Sequence, residues 1–280
     1  MYSDNKIEII QKKELNILKE FIRVCEKYNL EYFALGGTLL GAVRHEGFIP
    51  WDDDIDIGMP RKDYEQFMTI PSSEFNSPYI LVNEKNTKGF TKAFMNLRDS
   101  NTRIMMTYSN VEVEESLWID IFPIDGLPKQ PIKKYIHERR YLLSRMMVQL
   151  SQFNKIVNQR RENRPFVEKL IINLASFTNI EKLLPYEKYQ KKYIEIISKY
   201  DMTEGYSGNF AGAYKLKELV PTSYFGKGDY LKFEDLCIRV PNNYKAYLSA
   251  IYGENYMTLP PLESRVPHQY NIITLGDINE

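Results

Sequence analysis

Cysteine is almost absent from this chain: 280 residues carry two, Cys25 and Cys237. They lie far apart with no metal-like spacing. That excludes a cysteine-built zinc site and a disulfide framework, and it points to a reducing cytoplasm. Long hydrophobic runs are also missing. No stretch approaches the ~18 apolar residues needed to cross a bilayer, and the opening MYSDNKIEIIQKKE lacks the apolar core of a signal peptide. An excess of one charge is absent too, since 37 Lys and Arg balance 37 Asp and Glu. No global field therefore recruits nucleic acid. There is no internal repeat and no low-complexity segment. The expectation is a soluble protein, or at most a peripheral one, with a core large enough to fold without staples.

What is present is unevenly placed. Asp52, Asp53, Asp54 and Asp56 fall within five residues, a crowd that repels itself unless something cationic neutralises it. Residues two apart on a strand share a face. Asp54 and Asp56 then present two carboxylates together while Ile55 and Ile57 turn into the core, and Asp52 joins them if the strand extends back. Such hard oxygen donors suit Mg²⁺ or Mn²⁺, with positions left for phosphate oxygens and water. Gly36-Gly37-Thr38 follows an apolar run, and glycines before a helix allow backbone N–H groups close to an anion. A phosphate cradle beside a metal-binding pair is the equipment of phosphoryl transfer. Asp120, the one charge inside the strand-like SLWIDIF, is the natural third carboxylate, either a metal ligand or the acceptor of a hydroxyl proton. Asp125, after Pro123, reads as a turn residue.

The elements follow from periodicity and punctuation. Ile7 to Tyr28 has helical spacing of Ile10, Leu15, Leu18, Phe21, Ile22 and Cys25. EYFAL (31–35) is a short strand, then Thr38 or its neighbour caps a helix over LLGAVRHEG. Pro60 ends the next strand, and 61–69 is helical. YILVNE, FTKAFMNLRD and SLWIDIF read as strands, the last stopping at Pro123. Residues 131–200 are helical in pattern, with breaks near 163–165 and at Pro185, and a final mixed part contains a helix over 244–252. This divides the chain into a core (1–130), a helical subdomain (131–204) and a C-terminal segment completing the pocket (205–280).

Between Ile132 and Arg164 stand nine basic residues against two acidic. This surface is either a solvated helix face or a dock for an anionic membrane or a lipid-linked phosphoglycan. Tyrosine is abundant at 21, which serves carbohydrate contacts or plain core filling. Trp51 and Trp118, beside the acidic clusters, either cage a choline headgroup or simply pack.

The stretch LGGTLLGAVRHEGFIPWDDDIDI (35–57) resembles the signature of the LicD family, named for bacterial phosphocholine transferases and related to fukutin-type transferases. EESLWIDIFPIDGLP and YLSAIYGENYMTLPPLESRVPH match in order, so the resemblance spans all but the helical middle. It implies an α+β fold, with a nucleotidyltransferase-like mixed β-sheet core flanked by helices and a mainly helical insertion. It also implies transfer of phosphocholine, or a related phospho-polyol, from a CDP-linked donor such as CDP-choline to a glycan or lipid-linked glycan, releasing CMP. Teichoic acid and capsule precursors are the acceptors in view. On that pattern Asp54 and Asp56 hold Mg²⁺, and Asp120 is the third acid. Gly36, Gly37 and Thr38 meet donor phosphate. Arg44 and His45 contact phosphate or brace the aspartates, although His45 reads equally as a plain loop histidine. Lys92 and Arg98 border the pocket or are surface charges, and Arg265 with His268 closes over the donor. The expected place of action is the bacterial cytoplasm, at the inner face of the membrane if the basic helices dock there. Nucleotidyl transfer and a non-catalytic nucleotide- or glycan-binding scaffold are the alternatives.

Overall fold

The computed structural model describes residues 4–106, 113–153, 166, 170, 173, 180–202, 205–267 and 270–276. The long first helix, α1 (Asp4–Tyr28), keeps Ile10, Ile17, Leu18, Phe21 and Val24 fully buried along one stripe. That stripe lies across β4 (Met95–Met106) and β5 (Val113–Leu127). Each such aliphatic side chain contributes about 1.5–3 kcal/mol on burial, so packing rather than propensity fixes the helix. The short strand β1 (Phe33–Ala34) runs into α2 (Gly36–His45), and β2 (Asp56–Pro60) runs into α3 (Arg61–Met68).

The main sheet has the order β1-β2-β5-β4-β10, with β10 at Tyr270–Thr274. β3 (Tyr79–Val82) pairs with β4 off this path. β6 (Tyr206–Asn209) pairs with β5 and with β7 (Val220–Pro221). The β2–β5 pair is parallel and the other pairs are antiparallel. The fold is thus α+β with a mixed sheet, as expected. A separate hairpin, β8 (Asp229–Phe233) and β9 (Leu236–Val240), precedes α6 (Tyr244–Tyr252). Two further helices, α4 (Pro131–Ser151) and α5 (Tyr186–Ile197), pack on each other. They are seated by a second core of Leu127, Tyr141, Tyr193, Ile196, Ile197 and Phe210. The Tyr141 and Tyr193 hydroxyls both donate to the Phe210 carbonyl, at 2.9 and 2.8 Å.

Two expectations need correction. β5 does not stop at Pro123 but continues to Leu127. Asp120 turns its N–H toward β2, donating to the Ile55 carbonyl at 2.9 Å. By alternation, residue 123 faces the opposite edge. There β4 pairs only as far as Ile121, and β6 begins at Ile124. Proline's missing donor falls in the gap between two partner strands, where no ladder bond is lost. Asp125 is correspondingly not a turn residue. It is fully buried in β5, and Arg61 at the start of α3 grips it with two bonds, Nε–Oδ1 at 2.7 Å and Nη2–Oδ2 at 2.6 Å. The predicted break near 163–165 lies outside the described residues, while Pro185 does precede a helix, as the flank of α5.

Candidate active site

The site grows from the parallel pair β2–β5, whose register sets Asp56 beside Asp120. The Gly36-Gly37 turn closes over it. Leu35 N–H donates to the Asp56 carbonyl at 3.0 Å, and Asp56 N–H donates to Thr38 Oγ1 at 2.8 Å, so both backbone groups of Asp56 are tied to the start of α2. The glycines are there for room. A Cβ on Gly36 would lie 2.8 Å from Asp56 Oδ2, and one on Gly37 would lie 2.6 Å from Asp52 Oδ2 and 3.9 Å from Asp54 Oδ1. Gly36 also has φ +49, a conformation that favours glycine. The even-numbered aspartates therefore share the face next to the glycine turn, although Asp52 and Asp54 precede β2 itself. Asp53 is buried away from solvent, as the alternation requires.

This gathering is electrostatically costly. Burial, followed by the charges of Asp54, Asp120, Glu218 and Asp52, pushes the Asp56 carboxyl well above the usual carboxylate range. Asp120 is better compensated. Asn96 Nδ2, on the neighbouring strand, donates to its Oδ1, and Lys92 Nζ approaches the same oxygen at 3.4 Å. Among the described residues no group of three or more His, Cys, Asp or Glu side chains is arranged to hold a metal by itself. A repelling carboxylate pair with open positions fits Mg²⁺, which takes one or two carboxylates and fills the rest with water and substrate phosphate. Asp54 and Asp56 are the residues that would hold it.

The other residues singled out from the sequence separate into three groups. Arg44, His45 and Arg265 come together around Trp51. The guanidinium of Arg265 lies 4.8 Å from the Trp51 ring centroid and that of Arg44 lies 6.0 Å away, while His45 meets the ring edge-on at 6.2 Å. Arg44 donates to the Tyr256 carbonyl at 3.1 Å, and Arg265 to the Pro260 carbonyl at 2.9 Å. Burial holds the Arg44 guanidinium below its ordinary pKa, opposed by nearby Tyr252 and Asp52, and burial with the Arg44 charge also lowers His45. Lys92 and Arg98 stand on the Asp120 side. Lys92 touches Asp120 directly, whereas Arg98 reaches it through another residue, pairing with Glu115 and donating to Asn96 Oδ1 at 3.2 Å. Thr38 is buried inside α2 rather than capping it. Its hydroxyl oxygen is taken up by Asp56 N–H, so it fastens the glycine turn to β2. His268 lies outside the described residues.

Besides Asn96, four contributors were not singled out in the sequence. Glu14 is 3% exposed, and its Oε2 has no hydrogen-bond partner. Burial, then Asp53, Asp54, Asp52 and Asp120, raise its carboxyl well above the ordinary range. The signal was available, since Glu14 sits four residues after Ile10 and three before Ile17, a charge on the apolar stripe of α1. Glu218, the last residue of a short 3₁₀ helix (Lys215–Glu218), has its carboxyl raised to about 8, chiefly by burial. The Tyr214 and Tyr252 hydroxyls meet at 2.9 Å, within electrostatic reach of Asp56. No local pattern announces these last three.

Residues 29–138 match the family model "LicD/FKTN/FKRP, nucleotidyltransferase domain", which contains both acidic strands and the glycine turn. Over 258 residues, 91% of this chain and 92% of the relative, the sequence is 33% identical to the lipopolysaccharide cholinephosphotransferase LicD of Haemophilus influenzae. A shorter stretch of 67 residues is 43% identical to the human ribitol 5-phosphate transferase FKRP, covering 22% of this chain and 14% of that one. The mannosyltransferase regulator 4 of Saccharomyces cerevisiae is 28% identical over 160 residues, 54% of this chain and 13% of the relative.

Proposed function

The chain belongs to the LicD family and is a phosphotransferase of that type, and on this premise we propose that it moves phosphocholine, or a related phospho-polyol, from a CDP-linked donor to a hydroxyl of a cell-surface glycan such as a teichoic acid or capsule precursor. The observation that carries this reading is the register of Asp56 against Asp120 under the Gly36-Gly37 turn. Mg²⁺ held by Asp54 and Asp56 would supply charge neutralisation for the donor phosphates. The glycine turn and the N-terminus of α2 admit phosphate close to the backbone. The Trp51 cluster, with Arg44 and Arg265, offers cationic groups to the nucleotide end. The acceptor oxygen attacks the phosphorus of the transferred group and passes its proton to Asp120, while the bond from that phosphorus to the bridging oxygen breaks and CMP leaves. Lys92 and Asn96, both on Asp120 Oδ1, hold the carboxylate in place for that role.

The place of action in this reading is the inner face of the membrane. Among the described residues no helix is long and apolar enough to cross a bilayer. Support for peripheral contact comes from α4, where Ile132, Tyr135, Ile136 and Leu143 are exposed beside exposed Lys133, Arg139 and Arg140.

The test is CMP release from CDP-choline with Mg²⁺ and a glycan acceptor. Asp54→Ala and Asp56→Ala, each checked for folding by circular dichroism, are expected to lower transfer by about 10³ or more. Full activity in either folded variant overturns the mechanism. A nucleotide-bearing product in place of free CMP assigns the enzyme to nucleotidyl transfer. Donor binding without turnover on any acceptor points to a scaffold.

A further inference from the structure

A cavity of about 360 Å³ lies between β5 and the α4–α5 pair, with Lys92 in its wall. Its walls combine aromatic faces (Phe90, Phe94, Trp118) with Glu115, Arg145 and Gln190. Gln190 is 5% exposed, and its Nε2 donates to the Lys92 carbonyl at 3.1 Å while its Oε1 has no partner. Arg145 donates through Nη1 to the Phe210 and Ala211 carbonyls at 3.1 and 3.3 Å, yet its Nε is buried and unpartnered. Two of the side chains that line this aromatic pocket thus carry a buried spare acceptor and a buried spare donor just behind its surface. Buried polar groups are ordinarily satisfied. A hydroxyl satisfies both kinds at once, since it donates and accepts.

A cation is already in residence. Lys92 Nζ lies 4.1 Å from the Trp118 ring centroid and 5.3 Å from that of Phe94. A quaternary ammonium seeking the same aromatic faces would meet this charge at close range, which disfavours a choline headgroup here. A neutral polyhydroxylated ring does not. The cavity also continues outward. A second cleft of about 670 Å³ shares Gly89, Phe90, Thr91 and Gln190 with it, so the space suits a chain of sugars entered from outside and not a single small molecule.

We propose that this cavity is the acceptor site. A terminal sugar of the glycan stacks on Trp118 and Phe90, hydrogen-bonds Gln190 Oε1 and Arg145 Nε, and presents a hydroxyl past Lys92 to Asp120, while the following sugars lie in the outer cleft. This deepens the transfer reading and rests on it for the role of Asp120, but not for the binding itself.

Binding is read without donor. With Trp51 replaced by Phe, Trp118 is the sole tryptophan, and its emission is titrated with methyl glycosides of hexoses and N-acetylhexosamines and with choline chloride. At least one glycoside is expected to change the emission saturably, and choline chloride to leave it unchanged. Gln190→Leu removes the spare acceptor and is expected to weaken that sugar about tenfold, while stabilisation of the protein against heat by CDP-choline with Mg²⁺ stays as in the parent. Phe90→Leu, on a loop and so less able to disturb folding, is expected to weaken the same sugar severalfold. The proposal is overturned if no glycoside acts, if choline acts in their place, or if both folded variants bind the sugar as tightly as the parent. Failure of CDP-choline to release CMP would fall on the transfer reading and leave the sugar titration unaffected.

Discussion

At the scale of single residues, two side-chain arrangements carry sharp expectations. A Cβ on Gly37 would stand 2.6 Å from Asp52 Oδ2, so that carboxylate would have to shift, with Asp54 Oδ1 at 3.9 Å beyond it. Gly37→Ala should leave the core intact, because the strain falls on carboxylates at the edge of the pocket, while displacing the group that receives phosphate. A misplacement of about 1 Å can cost on the order of a hundredfold, so initial rates of CMP release should fall by about that factor with the melting temperature nearly unchanged. A large loss of melting temperature would place the constraint in folding instead. Arg61 and Asp125 form the second arrangement. Burial raises the Asp125 carboxyl to about 6 even though Arg61 opposes the shift. Arg61→Ala leaves this carboxylate buried without its cation, a loss of about 3–5 kcal/mol that urea unfolding would measure at neutral pH. The sign with pH follows from the raised value. Above about 6 the folded state must carry the buried charge, whereas toward the ordinary value of 3.8 the carboxyl is neutral and costs less. The penalty of Arg61→Ala should therefore shrink as pH falls from 7 to 4, and a penalty independent of pH would mean that lost packing dominates.

At the scale of elements, periodic segments were legible in the sequence and context-dependent ones were not. The stripe of α1 and the span of α6 announce themselves through spacing. The extension of β5 past Pro123 depends on which neighbour each residue faces, knowledge that exists only once β2, β4 and β6 are assembled. The β8–β9 hairpin was illegible for a related reason. Its two-residue turn is Glu234-Asp235, with Glu234 at φ 56, where glycine or asparagine would have been the usual signal. Glu234 is placed there by its contacts, since it donates its N–H to the Glu46 carbonyl at 2.8 Å and accepts the Phe48 N–H on Oε1 at 3.0 Å. The hairpin thereby braces the loop between α2 and the aspartates. Helix α4 carries the element's own prediction. Each basic residue near an anionic surface contributes about 1 kcal/mol. Replacing exposed Lys133, Arg139 and Arg140 together by Gln should then weaken co-sedimentation with phosphatidylserine-containing vesicles by about a hundredfold at low salt, with little effect on neutral vesicles. Equal binding by parent and variant would make this a solvated face.

At the scale of the whole molecule, the site belongs to no single segment. Glycine turn, paired aspartates and Asp120 were readable because they are local motifs, each with its own chemistry. Glu14 was marked only as a charge on the apolar stripe of α1, with nothing local to say what it meets, and Glu218 and the Tyr214–Tyr252 contact were not marked at all, because they come from the far C-terminal half and meet the aspartates only in three dimensions. The consequence is a surplus of carboxylates, with Glu14, Asp52, Asp54, Asp56, Asp120 and Glu218 acting on one another. Such a site resists folding around itself and should gain most from a cation that arrives together with its anionic substrate. Mg²⁺ alone meets an open pair with unfilled positions, and a CDP-linked donor alone brings further negative charge to the cluster. The two should therefore stabilise the protein cooperatively. At 100 times the Kd of the complex a ligand selective for the folded state adds ~2.7 kcal/mol, about 5 °C in melting temperature for a chain of this size. Differential scanning fluorimetry with Mg²⁺, with donor, and with both should show a combined shift well above the sum of the separate ones, abolished by EDTA. Running CDP-choline, CDP-ribitol and CDP-glycerol side by side ranks the transferred group. Equal shifts with and without EDTA would remove the metal from the reading and leave the aspartates to bind donor by some other means.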